Sequence, residues 1–231
     1  MSLYYQDDYV TLYHGDCLTE HREWLDADVL VTDPPYGIGW TANAAWKNAN
    51  GVGGHRSTGQ ATSIANDLDT KARDHALTMW GDKPALVFGD VLKYRPAGAV
   101  HMLIYAKPID AGIRGARAGR RKDVEAIYMI GPWVVGVGGK SSVIRTGSLV
   151  AGPSGVSTRS GHPHAKPLDV MGELICLADG VVADPFAGSG STLVAARNLG
   201  RKAIGVELEE KYCEIIAKRL DQQVIDFGAL M

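Results

Sequence analysis

Short apolar, β-branched runs alternate along this chain with segments whose apolar positions recur every three to four residues. Residues 29–32 form one such run and stop at Asp33-Pro34-Pro35, where two consecutive prolines end a sheet ladder. Residues 85–88 stop in the same way at Gly89. Residues 100–105, 124–130, 181–183 and 203–206 read as further buried strands, and residues 10–13 as a weaker one. Leu168, Met171, Leu174, Ile175 and Ala178 share one face of a helix. Residues 193–199 predict a short helix with Gly200 as its stop. Residues 209–220 predict another, with acids at its start and Lys218 and Arg219 at its end, as the helix dipole favours. Strands alternating with helices in this order predict an α/β fold, a mostly parallel sheet covered on both faces.

Two stretches fit neither period. Residues 41–66 are rich in Ala, Asn, Gly, Ser and Thr, and residues 136–161 in Gly and Ser, with Lys140, Arg145 and Arg159 among them. Both are longer than simple connections and are candidate lid or ligand-contacting loops. With 231 residues, the chain is read as one α/β domain spanning 1–231.

Composition narrows the classes. No apolar run nears the roughly 20 residues that span a bilayer, and the start lacks the basic and apolar regions of a signal peptide. Cys17, Cys176 and Cys213 show no paired spacing and read as small buried residues, which fits a reducing cytoplasm. A net charge of -2 neither points to nucleic acid nor excludes it, because local charge decides that. His162 and His164 have no third ligand at metal-binding spacing, so no metal is expected.

Two constellations carry chemistry. Residues 181–192 read as strand, Gly-rich turn and helix start, with Asp184, Phe186, Gly188, Gly190 and Thr192 in or beside the turn. Glu207, at the tip of the next strand, stands where nucleotide-binding folds hold a ribose diol. A nicotinamide dehydrogenase is compatible with that unit, but its third glycine is missing near Thr192 or Leu193. The second constellation, Asp33-Pro34-Pro35-Tyr36-Gly37, follows a buried strand. A planar exocyclic amine is a weak nucleophile because its lone pair is delocalised into the ring. The Asp33 carboxylate and the Pro34 carbonyl could each accept one N–H, favouring a pyramidal nitrogen, while Tyr36 offers a face for stacking.

These motifs resemble those of the DNA adenine-N6/cytosine-N4 methyltransferases, in the permuted order with the catalytic turn first. His14 to Cys17, residues 162–167 (HPHAKP) and residues 201–207 match further segments, and Glu125 stands in a strand similar to one of that family. The small size resembles phage-type members. The resemblance implies a seven-stranded, Rossmann-like sheet and S-adenosylmethionine (AdoMet) as cofactor. Asp184, Phe186, Gly188 and Gly190 would cradle it, Glu207 would hold its ribose, and Asp16 with Cys17 would lie near its adenine. Lys166 and Thr192 would lie near the methionine end, and Asp33 would adjoin it. Asp33, Pro34, Pro35 and Tyr36 would be catalytic.

The implied substrate is DNA, either duplex with the target flipped out or single-stranded. Adenine N6 is favoured by an Asp rather than a Ser before the prolines, and cytosine N4 is the alternative. A DNA-binding relative without catalysis is the reading from another class. Trp40, Arg114, Arg117, Arg121 and Arg145 are the candidate DNA contacts. The pattern fixes no oligomeric state; a homodimer is one arrangement open to it.

Overall fold

A computed structural model describes residues 2–39, 65–112, 116–149, 155 and 165–222. Nine strands form one sheet: β1 (Ser2–Gln6), β2 (Val10–His14), β3 (Val29–Thr32), β4 (Ala85–Gly89), β5 (Ala99–Ala106), β6 (Val124–Ile130), β7 (Val143–Arg145), β8 (Val182–Asp184) and β9 (Ala203–Glu207). Their spatial order is β1-β2-β9-β8-β3-β4-β6-β5-β7. The run from β2 to β4 is parallel throughout, whereas β1 and β6 are antiparallel to their neighbours.

Alternation along the central strands builds two cores. Val29 and Val31 of β3, with Leu86 and Phe88 of β4, face one side of the sheet. Leu30, Ala85 and Val87 face the other. Helices α2 (Leu168–Ile175), α3 (Ser191–Asn198) and α4 (Glu210–Asp221) supply Met171, Leu174, Leu193, Ile216 and Leu220 to the first core. Helix α1 (Lys71–Trp80) and a 3-10 turn at Glu23–Asp26 supply Ala76, Trp80 and Trp24 to the second, where the two indoles stack 5.8 Å apart. Both faces are covered because residues on both are apolar, the condition a mostly parallel sheet requires.

Several expectations need correcting. Among the described residues the sheet has nine strands rather than seven, because β1 and β7 extend its edges. Edge strands carry few buried positions, so period-two burial does not mark them. β7 lies inside the stretch read as a loop at 136–161, with Ile144 buried and Arg145 exposed. The start of β5 is not buried: Val100 is 64% and Met102 44% exposed, because β7 pairs only with Ile104, Tyr105 and Ala106. Cys17 and Cys213 are buried but Cys176 is exposed. Helix α1 was unmarked because its inner face includes Arg73, which is buried, pairs with Asp74 and donates to the Tyr94 carbonyl. Residues 41–64, 150–154 and 156–161 of the two candidate loops lie outside the described residues. Among the described residues, no helix is long and apolar enough to cross a membrane.

Candidate active site

β2, β9, β8 and β3 are parallel neighbours, so their C-terminal ends share one edge of the sheet. The chain winds outward from β3 to β4 on one side and from β8 to β9 on the other, leaving a crevice between β8 and β3. Such switch points are where open α/β sheets bind ligands. Each of the four strands ends in or just before an acid. In spatial order these are Asp16, Glu207, Asp184 and Asp33. At the ordinary strand spacing, the row spans roughly 15 Å.

Asp184 is buried and organises the turn rather than facing solvent. Its Oδ1 accepts from the Thr32 hydroxyl at 2.7 Å and from the Phe186 amide at 3.2 Å, and Thr192 also donates to the carboxylate. It therefore ties β3, β8 and the start of α3 together across the crevice. Burial pushes its carboxyl up to about 6, against these hydrogen bonds. Glu207 is buried too: Oε2 accepts from the Gly188 amide at 2.7 Å and Oε1 from the Glu209 amide at 2.8 Å. Burial raises it to about 7, against the pull of those amides. Gly190 sits at φ +77°, and a Cβ there would come within 2.8 Å of Ile216, so this glycine lets α4 approach the turn.

Asp16 is half-buried, with Oδ1 holding the Leu18 amide at 2.8 Å. It lines a cleft of about 320 Å³ with His14, Gly15, Glu20 and Leu208 among others. Cys17 belongs to the core under Trp24, whose indole N–H donates to the Cys17 carbonyl at 3.1 Å. Burial drives its thiol far above the usual range. Phe186 is half-buried against the second core. A roomier cleft, about 720 Å³, lies over the open part of β5 beside Leu92, Tyr94 and Met102 and includes none of these acids.

The turn after β3 is held from both ends. Asp67 Oδ1 accepts the Gly37 amide at 2.8 Å and its carbonyl accepts the Gly39 amide at 2.6 Å, while Lys93 Nζ donates to the Gly37 carbonyl at 2.5 Å. Gly37 has φ +70°, and a Cβ there would lie 2.7 Å from the Asp69 backbone. Asp67 and Lys93 were invisible to sequence reading, since neither lies in a motif.

Around Asp33 the structure gathers an ion network. Tyr36 Oη donates to Asp33 Oδ1 at 2.6 Å, and Lys166 Nζ donates to Oδ2 at 2.5 Å. Lys166 also lies 3.3 Å from Glu125 Oε2, and Lys107 reaches Glu125 Oε1 at 2.5 Å. Burial opposes charge on Glu125, but Lys166 and Lys107 outweigh it and bring the carboxyl down to about 2. Burial likewise opposes charge on Lys166, yet Asp33 and Glu125 raise its pKa. Burial, then the charges of Asp33 and Glu125, push the Tyr36 hydroxyl far above its ordinary range, so it is a proton donor. Pro34 is buried and Pro35 half-buried beneath the turn.

The basic candidates divide. Arg117 and Arg120 exchange both backbone hydrogen bonds, at 2.9 and 2.8 Å, across a two-residue turn with Ala118 at φ +48° and Gly119 at φ +75°. Both arginines are exposed. Arg121 turns inward, donating to the carbonyls of Pro108, Ile109 and Ala111 and pairing with Asp123, so it braces the loop. Trp40, Arg114, His162 and His164 lie outside the described residues.

The fold and its row of acids define a doubly wound α/β protein with a nucleotide-type crevice. The model of the N6/N4 DNA methylase family matches residues 69–218, so the chain belongs to that family. The match takes in Glu125, Lys166 and the Asp184–Glu207 unit but begins beyond Asp33–Tyr36. Among curated relatives, the type II methyltransferase M.ScaI of Streptomyces caespitosus is 41% identical over 68 residues, 28% of this chain and 22% of that protein. M2.DpnII of Streptococcus pneumoniae is 42% identical over 66 residues, 27% and 24% of the two chains. The matched stretch thus spans about a quarter of these relatives' length. Two solved structures share the fold. The M1.HpyAVI–SAM complex gives a TM-score of 0.58 at 21% identity over 92% of this chain and 99% of that one. The PvuII DNA methyltransferase (cytosine-N4-specific) gives 0.60 at 15% identity over 96% and 90%.

Proposed function

We propose that the chain is an AdoMet-dependent DNA methyltransferase acting on an exocyclic base amine, adenine N6 in preference to cytosine N4. The observation that carries this is the juxtaposition of Asp33, after β3, with the Asp184–Gly188 turn and Glu207 on the adjoining strands. An amine acceptor and a nucleotide-type cradle then lie side by side. The cradle suits such a cofactor: the Ser191 hydroxyl at the start of α3 is buried with no partner among the described residues. Each Glu207 oxygen, holding one amide, keeps a lone pair for a diol. Asp16 and Glu207 would hold the adenosine part, and the turn with Thr192 the methionine end, near which Lys166 lies on Asp33. Bound there, AdoMet would supply an electrophilic methyl on a sulfonium.

The protein's own share is positioning and electrostatics. Asp33 accepts an N–H of the amine, concentrates its lone pair and takes up the proton that the methylated nitrogen releases. The proline-fixed turn, with Asp67 and Lys93 behind it, keeps that carboxylate at the cofactor's edge. A base within a duplex is beyond its reach, so the target is flipped out or single-stranded. The Arg117–Arg120 hairpin, at the same edge, would contact phosphates, with Arg145 and residues 41–66 as further DNA-contacting elements.

The deciding experiment incubates the protein, and Asp33→Ala, with AdoMet and unmethylated mixed-sequence DNA. The DNA is digested and its nucleosides are weighed. N6-methyldeoxyadenosine made by the wild type and absent with the variant is expected. N4-methyldeoxycytidine would move the target to cytosine. Turnover retained by the variant would remove Asp33 from the mechanism, and no product despite AdoMet binding would point to another acceptor.

A further inference from the structure

Resting on the methyltransferase reading, we propose that Lys166 is a positioning residue with two seats. It sits on Asp33 in the resting protein, where its ammonium takes the place of the substrate amine, and on Glu125 once a base amine arrives. The ammonium has three protons, and three acceptors surround it: Asp33 Oδ2 at 2.5 Å, the Tyr36 oxygen at 3.3 Å and Glu125 Oε2 at 3.3 Å. It also stands over the Phe88 ring, 4.8 Å from its centre. The Tyr36 proton goes to Asp33 Oδ1 at 2.6 Å rather than to Glu125 Oε2 at 3.3 Å, so each oxygen of the acceptor carboxylate already carries one donor, and an incoming amine meets the Lys166 ammonium at Oδ2. A nitrogen bearing several N–H groups is what this cage accepts, and Lys166 supplies one from within the chain.

A neutral base amine cannot replace a charge-assisted hydrogen bond of that length unaided, since such bonds are about twice as strong as neutral ones. Exchange becomes feasible if the displaced ammonium keeps a charged partner. Glu125 is that partner. Its near oxygen already lies within reach, and Lys107 fixes the far oxygen at 2.5 Å, so the carboxylate stays in place without Lys166. The buried charge is then transferred between two carboxylates rather than stranded without a partner. Glu125 so governs how readily Asp33 is freed.

Glu125→Gln removes the second seat's charge. Its kcat on DNA should fall about tenfold or more, the signature of an interaction absent from the ground state. AdoMet affinity by calorimetry should stay within about twofold. Glu125→Asp, which keeps the charge, should recover most of the rate. If Glu125→Gln fails to fold, the double variant Glu125→Gln/Lys107→Met, which also removes the stranded ammonium, serves instead. As a second readout, the Lys166 15Nζ resonance, assigned by its loss in Lys166→Met, should shift when DNA and S-adenosylhomocysteine are added, and should not shift in Glu125→Gln. An unchanged kcat, a parallel loss of AdoMet affinity, or a shift that persists without Glu125 would overturn the proposal. No product from the wild type would instead refute the methyltransferase reading beneath it.

Discussion

At the scale of single residues, the crevice is a set of acids whose surroundings differ. Asp184 and Glu207 are raised by burial, whereas Glu125, equally buried, is lowered because two lysines face it. The folded protein therefore holds a proton on Glu207 up to about pH 7, where the unfolded chain releases it near 4.5. More protons bound in the folded state means that stability falls as pH rises between those values. The loss for Glu207 alone is up to about 3 kcal/mol. Denaturant midpoints of the cofactor-free protein should decline from pH 4.5 to 7.5, and Glu207→Gln should flatten that slope whatever its offset at low pH. An unchanged slope would mean that the carboxyl is solvated. The same residue scale explains Gly37, where a left-handed φ and the nearby Asp69 backbone leave no room for a side chain.

Among the elements, α2 links stability to the site. It begins at Leu168, two residues after Lys166, and buries Val170, Met171, Leu174 and Ile175 against β3 and α3. Its packing fixes the backbone from which Lys166 reaches Asp33. Leu174 is fully buried, so Leu174→Ala should cost about 2–5 kcal/mol. Chemical denaturation would reveal a smaller loss if the neighbouring helix closes the cavity. The hairpin of Arg117 and Arg120 is the contrasting element. Two like charges stand on directly paired residues, an arrangement that is unfavourable without an anion between them.

For the whole molecule, a net charge of -2 makes the proposed DNA binding depend on where the cations lie. Lys93 and Arg121 are taken up bracing loops, whereas Arg117 and Arg120 are exposed, so the proposed phosphate contact falls to the latter two. Replacing both exposed arginines by alanine should reduce the slope of log affinity against log salt by about 2, or somewhat less. Fluorescence anisotropy at several salt concentrations measures it. The same slope in the variant would assign the hairpin to solvent.

How much of this was legible in the sequence follows from what each feature depends on. The central strands, helices α2 to α4 and the two acid-bearing turns are local patterns, since period and proline or glycine punctuation act within a few residues. They sufficed for the fold class and for placing Asp33, Asp184 and Glu207 at strand ends. Edge strands β1 and β7 and helix α1 escaped, because their burial is partial or includes a charged residue. Asp67 and Lys93 escaped because hydrogen bonds to Gly37 join positions 30 and 56 residues apart. Lys166 was legible as a motif residue, but its partnership with Asp33 spans 133 residues and exists only once α2 has packed. Sequence alone determined which chemistry-bearing side chains are present and at which strand ends they stand. Tertiary structure decided which charges meet, because the energy of a buried ion depends on neighbours that only the closed sheet brings within a few ångströms.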